Sequence, residues 1–490
     1  MNTLTESIWR QTVSLEQRPA LQGDVKADVA VIGAGLAGIL TAHFLCKRGL
    51  SVVVLEADRI ASGQTQNTTA KITCQHRLIY HHLLEHFGQE KARQYAAANA
   101  YAVAQYKEIV AAEGIECSFE EKPSYVYAMT PDDVEKLERE LLAAQRLGLP
   151  ASFVAETKLP FSTCGAIRFD GQAQFNPLAF LQAIAKPLTI YEQTLVRAVE
   201  NHTVYTERGK VEAAHIVVAT HYPFINVPGF YFMRMYQQRS YCLALRNAAD
   251  VDGMYIDAAE NGLSWRNYQD LLLLGGAGHR SGDNARGGRY ASLREAAHRF
   301  FPEAEEAAHW SAQDCMTLDS VPYIGYYCIT TPHVYVATGF QKWGMTTSMA
   351  AGKIISDLIC DKHSDWADVF SPQRFNLSAS AKTFLENTAH AMHGLSREFL
   401  SLPKAALAEL PVGHGGVVEY GGEKIGVYKK SSEKIYAVST RCTHLGCQLE
   451  WNPDELSWDC PCHGSRFDIC GKRLTGPALK DLPRVEITGL

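Results

Sequence analysis

The sequence predicts an α/β domain at the N-terminus, a mixed α+β region after it and a small all-β domain at the C-terminus. Three observations carry this reading. Residues 28–57 run strand, glycine-rich turn, helix, strand. Helical and strand-like segments of mixed period fill the middle of the chain. Short strand-like runs surround a knot of cysteines and histidines near the C-terminus. The chain has 490 residues, more than one core usually holds, so two or three domains are expected.

The first element is "DVAVIGAGLAGILTAHFLCKRGLSVVVLEA". "DVAVIG" is an apolar strand, and Gly33, Gly35 and Gly38 form G-x-G-x-x-G. A helix pattern follows to Lys47, and the strand "SVVVLE" ends on Glu56. Glycines at these positions let the backbone approach a pyrophosphate at a helix N-terminus, where the dipole and free N–H groups favour an anion. Glu56 can accept hydrogen bonds from ribose hydroxyls and would repel a ribose 2′-phosphate, so FAD or NAD fits and NADP does not. "LLLLGGAGHRSG" (271–282) lacks a third glycine and a helix, which disfavours a second dinucleotide site.

In the middle, "KARQYAAANAYAVAQYKEIVAAEG" reads as a helix ended by Gly114, and "SYVYAM" as a strand. "TPDDVEKLERELLAAQRLG" reads as a helix with Thr130 as N-cap and Pro131 at its first position. His82 and His86 stand four apart on one helix face; with no third ligand type nearby in sequence, a solvated face is preferred over a metal pair. Residues 366–403 form a connector, helical over 377–400.

The tail contains "RCTHLGCQLEWNPDELSWDCPCHGSRFD" (441–468). Cys442, His444, Cys460 and His463 fit C-x-H-x15-C-x-x-H, two loops able to close on a metal. Two Cys and two His suit zinc as well as iron. Cys447 and Cys462 add a second cysteine to each loop at matching offsets. "GVVEY", "KIGVYK" and "KIYAVS" are short strands between Gly, Lys and Ser turns, the makings of a small β-sandwich with both loops at one end. Five of the 13 cysteines fall in this tail; the other eight are scattered and read as buried thiols. A net charge of −6 without a basic run argues against a nucleic-acid partner. No stretch reads as a transmembrane segment or secretory leader, so a cytoplasmic location is expected.

Three later segments bear on the dinucleotide. "ASGQTQNTTAKIT" (61–73) is a polar loop of small residues suited to running along a flavin. "AAHIVVATHYPF" (213–224) is a strand ending in Ala-Thr. "HVYVATGFQKWGMTTSMAAGKIISDLI" (333–359) is a strand, a glycine-rich loop and an amphipathic helix. With "TLDSVPYIG" (317–325), this set resembles the D-amino-acid oxidase/sarcosine oxidase family of FAD-dependent oxidoreductases over residues 25–365. The resemblance implies an α/β Rossmann-like FAD-binding domain (1–75, 172–225 and 312–365) interleaved with an α+β substrate domain (76–171 and 226–311). It implies Gly33, Gly35, Gly38 and Glu56 on the ADP half, and Val196 at the adenine. Ser62, Thr69, Ala70 and Lys71 would run along the flavin with Thr220 beside it, and Gly339, Gly344, Met345 and Thr346 would cradle the ring. Candidate substrate-handling residues are Lys71, Arg239, Tyr241, His279 and Lys342, next to Trp343; an arginine there could clamp a carboxylate. Cys315 does not fall at the offset of a flavin-linking cysteine, so non-covalent FAD is expected.

The tail's C-T-H-L-G-C and C-P-C-H-G-S resemble the Rieske [2Fe–2S] signature over residues 404–490. The resemblance implies Cys442 and Cys460 on one iron, His444 and His463 on the other, and a disulfide between Cys447 and Cys462. It also places the two histidines at an exposed tip. Together the halves imply a dehydrogenase that oxidises a C–N bond of an amine or amino acid. Its electrons would pass from FAD through the cluster to an external carrier protein or quinone. The alternatives are an oxidase with a structural or redox-sensing cluster, and a reductase with reversed flow.

One departure yields a prediction. High-potential Rieske members have Tyr two residues after the Ser of C-P-C-H-G-S, whereas this chain has Phe467. Phe467→Tyr should add a hydrogen bond to a cluster sulfur and raise a midpoint potential that lies within about −150 to +300 mV. A redox titration of both proteins checks this.

Overall fold

In the computed structural model, residues 5–374, 380, 383 and 405–487 are described. The chain forms two compact units. The first comprises Met1–Gly229, Ser240–Ala277 and Tyr290–Ala379, and the second Phe230–Arg239, Gly278–Arg289 and Ser380–Leu490. Segments 230–239 and 278–289, expected in the substrate domain, therefore group with the C-terminal strands. The helix expected over 377–400 lies outside the described residues, save 380 and 383.

The first unit is built on a parallel sheet of Thr189–Tyr191, Val52–Leu55, Val25–Ile32, Lys210–Val218 and Val334–Thr338. Every residue of Val52–Leu55 and Val334–Thr338 is buried, as in parallel strands covered on both faces. Helices Leu36–Lys47 and Gly344–Cys360 pack together closely: a Cβ on Gly352 would lie 2.9 Å from the Phe44 ring. A second, mixed sheet orders Glu305–Thr317, Met235–Arg246, Leu271–Arg280, Ser264–Tyr268, Met254–Asp257, Ser124–Ala128, Gly165–Phe169 and Ala151–Val154. The glycine run at 275–278 lies inside strand Leu271–Arg280 and opens no helix.

Local signals in the helices hold. Helix Gly88–Glu113 ends on Gly114 at φ 60°. Helix Pro131–Arg146 starts under Thr130, whose hydroxyl accepts from the Asp133 N–H at 3.3 Å. His82 and His86 rings lie 4.6 Å apart, and His82 Nε2 reaches the Asp319 carbonyl at 3.2 Å. Among the described residues no group of metal-ligating side chains forms around them. Nor is any described helix long and apolar enough to cross a membrane.

In the second unit, residues 405–475 form two four-stranded sheets. One contains Gly415–Tyr420, Glu423–Lys429 and Ile435–Ser439, the other Glu450–Asn452, Ser457–Asp459, Arg466–Asp468 and Arg473–Thr475. The Cys/His loops, 440–449 and 460–465, flank two strands of the second sheet.

The segment "TLDSVPYIG" carries a buried ion pair near its start. Arg374 grips the Asp319 carboxylate with two bonds, Nε at 2.8 Å and Nη2 at 2.9 Å, and both side chains are nearly inaccessible. Arg374 also donates to the carbonyls of Pro322 and Phe370. Burial alone would push Asp319 up; the Arg374 charge and hydrogen bonds hold it below the usual carboxylate range. Its stabilisation is thus present above pH 3.8, the unfolded value, and lost as pH falls through the lower folded value. Asp319→Ala strands a buried guanidinium and should cost about 3–5 kcal/mol near neutrality. Denaturant unfolding of the two proteins should converge in acid.

Candidate functional site

The first unit presents a nucleotide cradle. Gly33, at φ 104°, closes on the end of strand Lys210–Val218: a Cβ there would lie 2.5 Å from the Ala219 carbonyl oxygen. A Cβ on Gly38 would lie 1.9 Å from the Gly33 oxygen, so helix Leu36–Lys47 can only start this close to the turn without one. Gly35 differs. It caps that helix, and its Cβ would meet nothing nearer than Thr65 Oγ1 at 3.5 Å. Thr65 Oγ1 accepts from the Leu36 N–H at 3.0 Å, so the helix start is met by a hydroxyl rather than by bulky side chains.

Glu56 ends the next strand. Its carboxylate accepts from Ala34 N–H at 2.7 Å and Asp58 N–H at 3.0 Å. Burial pushes Glu56 up, and these two donors oppose the shift. The backbone of Glu56 bonds Tyr191 and Thr194, which brings the segment of buried Val196 alongside. Ala61, next to Ser62, donates to the Ala34 carbonyl. Thr220 follows the Ala219 carbonyl against which Gly33 packs. These expected residues therefore gather on one strand-end rim.

Lys71 and Thr346, expected along the flavin, both belong to the first unit. Lys71 lies deep among protein atoms yet keeps solvent access, as a cavity-lining side chain does. Its ammonium bonds Ser264 Oγ at 3.1 Å and Thr69 Oγ1 at 3.3 Å. Burial, with Arg266 beside it, depresses Lys71 to about 7. Ala70 takes φ 54°, and its carbonyl accepts from fully buried Arg266 at 2.7 Å. Buried His76 joins the two walls. One ring nitrogen meets Tyr95 Oη at 2.6 Å; the other meets Thr346 Oγ1 at 3.0 Å. Its ring stacks on Trp343 at 4.7 Å, and burial lowers it to about 3, so it is neutral. Gly339 sits at φ 71°, Gly344 opens the helix, and the carbonyl of Met345 accepts from Tyr106. Lys342 is exposed, within electrostatic range of Asp314, Arg77 and Glu260. Cys315 is buried, and burial pushes its thiol up to about 12. Sequence reasoning missed His76, Arg266 and Ser264. The one available signal was a charged residue between aromatics in "SWRNY".

Three further substrate candidates are engaged by the chain itself. Tyr241 is buried edge-on against Tyr290. Arg239 belongs to the second unit, where its buried guanidinium meets Glu455 at 2.8 Å; a carboxylate of the chain takes the place expected for that of a substrate. His279 lies in the same unit, with Nδ1 2.7 Å from the Arg280 carbonyl.

In the second unit the Cys/His loops repeat one turn. Gly446 N–H donates to Cys442 O, and Gly464 N–H to Cys460 O, each at 2.9 Å. Both glycines have positive φ, 82° and 73°. A disulfide joins Cys447 to Cys462. The sulfurs of Cys447, Cys460 and Cys462 lie within 4.8 Å of one another, but the disulfide occupies two of them and leaves Cys460. The Cys442 and Cys460 side chains are hydrogen-bonded to each other, which lowers Cys442 to about 7 and raises Cys460. The His444 and His463 rings stand 4.9 Å apart at 89°. Burial lowers them to about 4 and about 3, so both are neutral, the form that binds metal. Two soft thiols and two neutral imidazoles, with the remaining pair of cysteines consumed in a bridge, fit a [2Fe–2S] centre of mixed ligation. Phe467 is buried in the same apolar cluster as Cys442 and Cys460, paired with Trp458 across the sheet. The exposed tip does not materialise for His463, which is 6% exposed, while His444 is half-buried.

Comparison with known proteins follows this division. Residues 28–358 match the family described as FAD dependent oxidoreductase, and residues 402–486 match the Rieske [2Fe-2S] domain. The chain is 35% identical over 497 residues to the Rieske 2Fe-2S iron-sulfur protein YhfW of Bacillus subtilis (strain 168), covering 98% of each. Its tail is 44% identical over 63 residues to the cytochrome b6-f complex iron-sulfur subunit 1 of Nostoc sp., covering 12% of this chain and 35% of that one. Among solved structures, glycine oxidase from Geobacillus kaustophilus matches with a TM-score of 0.61 at 23% identity, covering 72% of this chain and 99% of that one. L-amino acid deaminase from Proteus vulgaris matches with 0.61 at 19%, covering 76% and 100%. These likenesses to solved structures are of fold.

Lys71 gives a prediction with a definite sign. Unfolded, it holds its proton up to 10.5; folded, only up to about 7. Stability must therefore rise with pH between those values. Lys71→Met should stabilise the apoprotein by about 2 kcal/mol at pH 7, after discounting for solvent access. Unfolding midpoints of the pair should draw together as pH approaches 10.5.

Proposed function

Because the chain belongs to the FAD-dependent oxidoreductase family and carries a C-terminal Rieske [2Fe–2S] domain, we propose that it is a dehydrogenase oxidising a C–N bond of an amine or amino acid. Its electrons leave through the cluster to an external acceptor, a carrier protein or a quinone. The supporting observation is that one chain holds both a glycine turn packed too closely for any side chain at Gly33 and Gly38 and a disulfide-closed pair of Cys/His loops.

Gly33, Gly35, Gly38, Glu56 and Val196 hold the nucleotide half of FAD. Ser62, Thr69, Ala70, Thr220, Gly339, Gly344, Met345 and Thr346 hold the flavin half. Cys442, Cys460, His444 and His463 hold the cluster. When bound, FAD supplies a two-electron acceptor for the C–H beside nitrogen, and the cluster supplies a one-electron carrier.

The chain's own residues prepare the substrate. A substrate amine must be neutral to give up its electrons. Lys71, depressed to about 7, is itself neutral above that pH and can take the proton from a substrate ammonium. Its hydrogen-bond partners are the hydroxyls of Thr69 and Ser264, and the neighbouring charge is the Arg266 guanidinium rather than a carboxylate that would hold it charged. His76 keeps Trp343 and Thr346 in place by stacking and hydrogen bonding. Substrate oxidation should therefore increase as pH rises through about 7, and Lys71→Met should flatten that limb.

The deciding experiment is anaerobic rapid mixing with a panel of amines and amino acids. Bleaching of the flavin absorbance should be followed by the electron-spin signal of a reduced cluster, at a rate independent of protein concentration. Cys460→Ser should preserve the bleaching and abolish reduction of one-electron dyes. A cluster that stays oxidised while flavin absorbance is fully bleached would overturn this reading in favour of an oxidase or a sensor.

A further inference from the structure

Two stretches from far earlier in the chain fold into the unit of the cluster loops, Phe230–Arg239 and Gly278–Arg289. They close on the second loop from two directions. Gln237 Nε2 donates to the backbone carbonyl of His463 at 2.7 Å, a buried bond across 226 residues of sequence. The Phe232 ring stands edge-on to the His463 imidazole, centroids 5.9 Å apart at 89°. The same imidazole donates to the backbone carbonyl of Phe232. From the other direction, Gly282 at φ 84° lies so near the loop that a Cβ would stand 2.6 Å from Pro461 Cα. Ser281 N–H bonds the Gln237 carbonyl at 2.9 Å and ties the two stretches together. His444 has a different setting, half-buried next to exposed Leu445.

A neutral imidazole has one N–H and one lone pair. A carbonyl that accepts the N–H fixes which nitrogen carries the proton, orients the ring and makes the other nitrogen a stronger donor. A stronger donor stabilises the oxidised metal. Gln237 meanwhile pins the backbone from which the ring projects. We propose that Phe232 and Gln237 are positioning residues for the iron ligand His463, fixing its tautomer and orientation and lowering the potential of the cluster. This rests on the reading of His463 as a ligand.

The test uses purified holoprotein as wild type, Gln237→Leu, Phe232→Ala and Phe232→Tyr. Iron and FAD are assayed, the cluster is titrated by electron-spin resonance, and pulsed measurements on the reduced cluster resolve its two coordinated nitrogens. Gln237→Leu and Phe232→Ala should change the coupling of one nitrogen and spare the other. Both should raise the midpoint potential, giving about a tenfold change in the reduced-to-oxidised ratio at fixed poise, about 59 mV for one electron. Every Phe232 variant keeps the backbone carbonyl; Phe232→Ala loses only the ring that packs edge-on against His463, and Phe232→Tyr, which keeps that ring, should match wild type. Selective loss of iron at unchanged FAD content is the same effect in stronger form, since partners behind a ligand commonly contribute about 10–100-fold to metal affinity. Wild-type couplings and potential in both Gln237→Leu and Phe232→Ala would overturn the proposal. A wild-type protein with no iron–sulfur signal would instead overturn the ligand reading itself.

Discussion

The first unit depends on a backbone approach that no side chain could survive. Gly33 packs on the Ala219 carbonyl, and Gly38 packs on the carbonyl of Gly33. Those contacts bring the ends of strands Val25–Ile32 and Lys210–Val218 together with the start of helix Leu36–Lys47. Glu56 then binds Ala34, Ala61 binds Ala34, and Thr65 receives the Leu36 N–H, so four stretches of chain converge on one turn. The helix dipole makes a turn of this kind favourable for an anion.

The same unit buries positive charge with little local negative charge. Arg266 is inaccessible, and its hydrogen bond to the Ala70 carbonyl holds a strained φ in a non-glycine residue. Lys71 stands beside it, and the two cations disfavour each other. Such an arrangement costs stability, and it leaves a lysine that can change charge at neutral pH, which structural lysines do not. By contrast, Asp319 and Arg374 pair completely and serve to fasten the chain where the described part of this unit ends.

The second unit solves a different problem. Four metal-binding side chains must converge without sheet structure to hold them, since both loops lie between strands. Repeated glycine turns and a disulfide supply the rigidity. Segments 230–239 and 278–289 complete it: Arg239 answers Glu455, which also meets Arg466, and Asn284 bonds Asn452 and Asp454 at 2.9 Å. The module matched by the Rieske comparison is thus supported by residues that lie outside that match.

The motifs were legible in sequence because their chemistry is local. Three glycines at G-x-G-x-x-G spacing, a strand ending in Glu56, and two Cys/His loops at fixed offsets each need only neighbouring residues to be recognised. Caps such as Thr130 and Gly114 were readable for the same reason. The roles of isolated polar residues were not. Arg239 reads the same in sequence whether it meets a substrate carboxylate or Glu455, and the choice depends on a partner 216 residues away. His76 and Arg266 carried no motif, yet burial made one a neutral bridge and the other a cation beside Lys71. Sequence by itself determined which cofactor chemistries this chain can host, since those are written in short-range spacing. Tertiary structure alone decided which charges are paired, which titrate near neutrality and which earlier strands grip His463, because burial and long-range contact set those energies.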